Sequence, residues 1–308
     1  MKHIIKNLPR YSKILIPFLI GSLGGFYFVN NIHPKPTPIQ SKPKIFKTKL
    51  SAITVTNEII TTNSIDELAA IISIYKGGSA IFIDIDDTII TPKSNLFRHG
   101  SPYATIIDEL KKNPNVANFD NILGNWRLQR KTMLVSDRWP ELIAQLKKEV
   151  PVFALTQLNP GKIGPIASME QWRHQELSSL NVAFTPIFNN NSEQVILFSQ
   201  EKTYPAIFYQ GFFITGSYKK SQIIAEYIKH HPAEMIIFID DRKEHIDEVT
   251  DACKLAGIPI VGILYRGIEK IQGSADPEVA KFQQQYLLEH AEWLEDEVAA
   301  ARVKSFKR

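Results

Sequence analysis

Residues 81–92 read Ile-Phe-Ile-Asp-Ile-Asp-Asp-Thr-Ile-Ile-Thr-Pro, an apolar run that stops in three carboxylates, Asp84, Asp86 and Asp87, with Thr88 directly after them. Like charges at the end of a buried strand repel one another and resist leaving water, so something positive, most often a metal ion, should face them. Two other apolar runs also end in polar groups: residues 150–155 lead into Thr156, and residues 235–239 lead into Asp240-Asp241. Between them Gly216-Ser217-Tyr218 precedes Lys219-Lys220 at the start of a helical pattern. Lysine is poorly placed against the positive end of a helix dipole, which argues for a functional reason. The inventory is four carboxylates (Asp84, Asp86, Asp240 and Asp241), a hydroxyl and an ammonium group, and it suits phosphoryl transfer. Carboxylate oxygens match Mg²⁺, while the hydroxyl and lysine can hold and neutralise phosphate oxygens.

Such groups need a scaffold that gathers strand ends. A helix is expected over 65–75, capped by Asn63-Ser64 with Asp66 and Glu67 in its first turn, and it leads into a strand over 80–85. The spacing then predicts helical segments over 103–112, 121–131 and 139–149, a strand over 150–155 and a helix over 169–180. A β-rich stretch follows over 182–215, centred on the turn Asn189-Asn190-Asn191. Helix 221–230, strand 235–239, helix 246–256 and strand 259–264 complete the pattern, and residues 277–301 carry a helical apolar stripe. Strands alternating with helices imply parallel β-α units, hence an α/β sheet covered on both faces, with ligands at the carboxyl ends of its strands.

The 308 residues are 44% hydrophobic, enough for a full core. The net charge of +4 owes much to lysines and arginine before residue 50, and no basic stripe interleaved with aromatics is present, so a nucleic-acid partner is discounted. The one cysteine, Cys253, lies in a helix end and reads as a buried, inert thiol. The eight histidines show no zinc-binding spacing.

Residues 14–29 form an uncharged apolar run behind a basic stretch, 1–13, and ahead of a Pro/Lys-rich linker, 30–49. This reads as a signal anchor or a signal peptide. The expectation is a domain tethered to a membrane outside the cytoplasm, in the periplasm, or secreted if the segment is cleaved.

The ordered set Asp84-x-Asp86-x-Thr88, Thr156, Lys220 and Asp240-Asp241 resembles the haloacid dehalogenase-like hydrolase superfamily over residues 80–264. The insertions and the Trp293-Leu294-Glu295-Asp296-Glu297 tail look like a bacterial branch catalogued only as a domain of unknown function, and the first motif also resembles exported class B and class C acid phosphatases. The resemblance implies a three-layer Rossmann-like parallel sheet in a domain over 50–274, with a small helical cap at about 93–136, the β-rich insertion at about 182–215 and a C-terminal helix over 275–308. It implies a Mg²⁺-dependent phosphatase in which Asp84 is the nucleophile, Asp86 the acid and base, Thr156 and Lys220 the phosphate ligands, and Asp84, Asp86, Asp240 and Asp241 the metal site. Lys220 fits the lysine motif better than Lys219; Asp87 and Thr88 would steady the loop. The presence of Asp86 points to phosphatase or phosphotransferase chemistry. Many relatives carry Arg where this chain has Gln157 and Gly where it has Ser221. Arg98 and His99 either reach a substrate from the cap or belong to a surface loop. The expected substrate is a phosphorylated small molecule, with a phosphoprotein as the other class. A binding or host-interaction protein with the same fold and little turnover is the alternative to an enzyme.

Overall fold

The computed structural model describes residues 58–306 except 115, 187–194 and 199–202, and for 195–198 the backbone alone. Strand β1 (Glu58–Thr62) opens it, and helix α1 (Ile65–Tyr75) follows, with Ser64 as the N-cap accepting from the Glu67 N–H. Strand β2 (Ser79–Ile83) is buried at every position. Then come β3 (Ile90–Pro92), α2 (Ile106–Lys112), α3 (Phe119–Gln129), β4 (Thr132–Leu134), α4 (Trp139–Leu146), β5 (Val152–Thr156) and α5 (Met169–Ser178). Strands β6 (Val195–Phe198), β7 (Ala206–Tyr209) and β8 (Phe212–Ile214) lead to α6 (Lys220–His230), β9 (Met235–Asp240), α7 (Lys243–Leu255) and β10 (Ile260–Tyr265). Helices α8 (Pro277–His290) and α9 (Asp296–Phe306) end the described chain.

The main sheet has the order β1-β10-β9-β2-β5-β8-β7-β6; all neighbours from β1 to β8 are parallel, and β8, β7 and β6 are antiparallel. Strand side chains alternate between faces, so each strand serves two cores. Ile81, Ile83, Val152, Ala154, Ile237 and Ile239 pack against α1, α4 and α5, while Phe82, Phe153, Phe213 and Phe238 pack against α6 and α7. This is the three-layer, mainly parallel α/β arrangement, compatible with a Rossmann-like fold, that the alternating pattern implies. From β2 the chain reaches β5 through α4 on one face, and it reaches β9 through α6 on the other. A crevice opens where connections diverge in this way, at the carboxyl ends of the central strands.

Two expected modules are placed differently. The 182–215 stretch is no separate insertion, because β8 pairs with β5 and the β6–β8 ribbon forms the far edge of the main sheet. The expected turn at 189–191 lies outside the described residues. The C-terminal helix is two helices, broken at Ala291, which adopts the left-handed conformation (φ 51°).

Helices α2 and α3 form a cap between the antiparallel strands β3 and β4. The C-terminal helices pack onto it: Leu96, Ile106, Leu110, Ile122 and Trp126 share one apolar cluster with Ala280, Leu287 and Trp293. The segment between α8 and α9, with the first residue of α9, ties both ends of the cap. Asp296 accepts from the Asn95 N–H at 2.8 Å and from the Ser94 hydroxyl, Glu295 accepts from the Lys131 N–H at 2.8 Å, and Gln129 accepts from the Trp293 N–H at 2.7 Å. Cys253 is buried against the sheet, where burial and Glu248 push its thiol up to about 11. Residues 1–13, 14–29 and 30–49 lie outside the described residues, among which no helix is long and apolar enough to cross a membrane.

Candidate active site

Strands β2 and β9 lie side by side with Ile83 opposite Ile239, and the Asp84 N–H extends the ladder to the Ile239 carbonyl at 2.8 Å. Asp84 and Asp240 therefore leave the sheet together. The positive φ of Gly216 (57°) lets the chain turn past the Pro205 carbonyl, which a Cβ there would strike, before α6 begins at Lys220. The Lys220 ammonium is buried and donates to Asp84 Oδ1 at 2.5 Å and to Asp240 Oδ2 at 2.6 Å. Lys219 is exposed at the N-cap, so of the two lysines it is Lys220 that enters the site.

Each charge is shaped by its neighbours. Burial pushes the Lys220 ammonium down, but Asp84 and Asp240 hold it above its ordinary value. Burial pushes the Asp84 carboxyl up to about 7, with Lys220 opposing and Asp240 adding to the rise. Burial also acts on Asp240, yet Lys220 and His245 hold it low. Burial, with the charges of Asp84, Asp240 and Asp87, pushes Asp241 up to about 8.

Of the four carboxylates expected at a metal, those of Asp84, Asp240 and Asp241 come together, one oxygen of each within 4.8 Å of the others. Three carboxylates gather about one ammonium group, which donates to Asp84 and Asp240 but not to Asp241. A hard divalent cation fits this donor set.

The carboxylate of Asp86 does not join them. After Asp84 the chain makes a tight turn, with Asp87 at φ 60° and the Ile85 carbonyl accepting from Ile89 and Ile90. This carries Asp86 towards α5, where one guanidinium nitrogen of Arg173 donates to both of its oxygens, at 2.7 and 3.0 Å. Desolvation by the groups packed around it pushes the half-exposed Asp86 carboxyl up, but Arg173, Arg130 and Arg127 overcome this and hold the group below the usual carboxylate range. Asp87 accepts from the Thr91 hydroxyl at 2.8 Å, and the buried Thr88 hydroxyl points to Asp241 at 3.4 Å.

Thr156 ends β5 beside β2 and is buried; its carbonyl accepts from the Thr215 N–H at 3.1 Å. The neighbouring Thr215 hydroxyl is also buried and has no hydrogen-bond partner. Arg98 is buried and donates to the carbonyls of Pro92 and Lys93, which makes it part of the cap stem. His99 is exposed and lies 3.4 Å from Glu269.

The sequence reading missed Arg127, Arg130, Arg173, His245 and Thr215. His245 Nδ1 lies 3.1 Å from both oxygens of Asp240, five residues before it, in the first turn of α7. That spacing is the one available signal for it.

A family model described as "Protein of unknown function (DUF2608)" matches residues 61–300, from β1 through the sheet and cap into α9. The chain belongs to this family. The DUF2608 match spans both the strand ends and the C-terminal segment that closes the cap. The chain is also 30% identical, over 251 residues, to "Uncharacterized protein RP296" of Rickettsia prowazekii (strain Madrid E), covering 79% of this chain and 90% of that protein. No solved structure matches.

Proposed function

We propose that this DUF2608 protein is a Mg²⁺-dependent phosphomonoester hydrolase of the haloacid dehalogenase-like type, acting through an aspartyl-phosphate on Asp84. The observation that carries this reading is the buried Asp84–Lys220–Asp240 arrangement at the carboxyl ends of adjacent parallel strands, with Asp241 beside it. A carboxylate oxygen of Asp84 attacks phosphorus and the bond to the leaving oxygen breaks, the leaving oxygen taking a proton from Asp86, which must first part from Arg173 to carry one. Water then attacks the phosphorus of the acyl phosphate and gives a proton to Asp86, which returns inorganic phosphate and free Asp84. Lys220 neutralises charge on the phosphoryl oxygens, and the orphan Thr215 hydroxyl, with Thr156, offers them donors. Asp84, Asp240 and Asp241 would hold Mg²⁺, which would supply further neutralisation of those oxygens.

The apolar run at 14–29 supports placement of the domain at a membrane, outside the cytoplasm. One observation favours the low-turnover alternative: Arg173 holds Asp86 away from the other carboxylates. The test is release of phosphate from an aryl phosphate by the full chain, with Mg²⁺ or EDTA, beside Asp84→Asn and Asp86→Asn. Activity that needs Mg²⁺ and is lost in both variants is expected. No turnover with Mg²⁺ bound would put the binding protein ahead, and phosphorylated alcohol among the products of an added acceptor would mark a phosphotransferase.

A further inference from the structure

The arginines beside Asp86 carry more positive charge than the carboxylates among them neutralise. Arg127 comes from α3 in the cap, Arg130 directly follows that helix, and Arg173 comes from α5 in the core; all three guanidinium groups gather over Trp172, at 5.7, 5.6 and 4.9 Å from its ring. Two carboxylates answer them. Asp86 is bound by Arg173, and Glu176 takes Arg173 at 2.7 Å and Arg130 at 3.1 Å. Among the described residues Arg127 makes no ion pair; one of its nitrogens lies 3.7 Å from the Met169 sulfur. The Nε atoms of Arg130 and Arg173 are buried without hydrogen-bond partners. Burial, together with Arg173 and Arg130, pushes the Arg127 guanidinium down to about 10. Like charges held this close out of water are costly until an anion joins them. Solvent reaches the cluster at Asp86, whose side chain is 49% exposed, and at the half-buried Arg127, while Arg130 and Arg173 lie buried behind them. Arg173 also lies near enough to Asp84 for their charges to interact, so an anion here is a neighbour of the reacting centre.

We propose that Arg127, with the charges of Arg130 and Arg173 behind it, receives a second oxyanion of the substrate, a carboxylate or a second phosphate, so that the phosphomonoester cleaved at Asp84 is one that carries another acidic group. The proposal rests on the phosphatase reading. The planar guanidinium fork of Arg127 matches the paired oxygens of such groups, and an uncharged alcohol would leave it without an ion-pair partner.

The test compares the full-length protein on matched substrates in Mg²⁺: phosphoglycolate against hydroxyethyl phosphate, and an alkane bisphosphate against the corresponding alkyl monophosphate. The acidic member of each pair is expected to have kcat/KM at least about tenfold higher, the scale of one charge-assisted hydrogen bond. Arg127→Gln should shrink that ratio towards one, and Arg127→Lys should keep part of it. Arg127 is the position to change because Arg130 and Arg173 also hold Glu176 and Asp86. Equal kcat/KM within the wild-type pairs overturns the proposal and leaves the phosphatase reading standing. A second arm needs no turnover: malonate binding measured by calorimetry in EDTA, expected to weaken at least about tenfold in Arg127→Gln. Undetected or unchanged binding removes the anion site. Binding that Arg127→Gln weakens, in a protein that hydrolyses no phosphomonoester, overturns the phosphatase reading and the substrate role with it, and leaves an anion site alone.

Discussion

Arg173 holds Asp86 through both carboxylate oxygens, while Asp84, two residues earlier, faces Lys220. The two acids of one strand end thus stand in opposite surroundings. Arg173 and its neighbours keep Asp86 anionic, whereas burial lifts Asp84 to about 7. Phosphoryl transfer needs the reverse order, an ionised nucleophile and a protonated acid, and environments that separate two carboxyl groups are how such roles are divided. A divalent cation at Asp84 would lower the first, and parting Asp86 from Arg173 would raise the second.

The acid limb of the pH profile should therefore depend on Mg²⁺. At low Mg²⁺, kcat/KM should fall as pH drops through about 7, where Asp84 takes up its proton. Raising Mg²⁺ should move that limb to lower pH, since metal and proton compete for the same oxygens. Profiles at several Mg²⁺ concentrations check it; a limb that stays in place would count against metal on Asp84.

Stability in EDTA should follow the same carboxylates. Asp84 and Asp241 have folded-state values raised to about 7 and about 8, against about 4 for an unfolded carboxylate. A raised acid binds protons more tightly when folded, so its stabilisation is fully present below about pH 4 and is lost as pH rises through the folded values. Thermal midpoints should fall between pH 5 and 8 in EDTA, over roughly the window those two values set. Asp241→Asn should flatten the slope, and saturating Mg²⁺ should do the same to the wild type. A slope that Asp241→Asn leaves unchanged would place its source elsewhere.

Lys220→Met removes the ammonium group shared by two buried carboxylates. Breaking a buried pair in this way costs about 3–5 kcal/mol, because the remaining charge is left without compensation. Urea unfolding should show that loss, and Mg²⁺ should restore more stability to the variant than it adds to the wild type. Equal Mg²⁺ effects on the two proteins would argue that the cation and Lys220 do not share the same carboxylates.

His245 orients Asp240 without joining the carboxylate cluster. Loss of such an outer partner typically weakens a metal site by about 10–100-fold. His245→Ala should reduce Mg²⁺ affinity by that order in calorimetry with little change in thermal midpoint in EDTA, since the imidazole lies at the edge of the core. Unchanged affinity would make the histidine a surface neighbour only.

Much of the site could be read from the chain because strand ends punctuate it. Apolar runs that stop at Asp84, Thr156 and Asp240 mark the carboxyl edge of a parallel sheet, and a buried strand leaves few other readings. The arginines could not be read in the same way. In α5, Glu-Gln-Trp-Arg-His-Gln-Glu looks like a solvated face, yet Arg173 is buried where it meets Asp86 and Glu176. Strands β3 and β4, three residues each, are too short to show a period, and β1 is half polar because it lies at the sheet edge. The helix break at Ala291 has no glycine or proline to announce it. Its reason is tertiary, because the next residues must turn back to meet the cap stem.

That turn gives the last prediction. Trp293 is buried in the cap cluster with its ring centroid 5.7 Å from that of Phe97, and its backbone N–H and indole N–H are held by Gln129 and Glu295. Replacing a buried tryptophan by alanine costs about 3–5 kcal/mol, from lost apolar contact and the cavity left behind. The apolar clusters under the sheet share none of their buried residues with the cap cluster, so the cost should fall locally. In Trp293→Ala, hydrogen exchange should speed up over α2, α3 and α8 while β2, β5 and β9 keep their protection. KM should rise more than kcat falls, because the strand-end groups stay in place while Arg127 and Arg130 lose their register. Uniform acceleration through the main sheet would instead show that cap and core unfold as one unit, and the C-terminal helices would then support the whole fold.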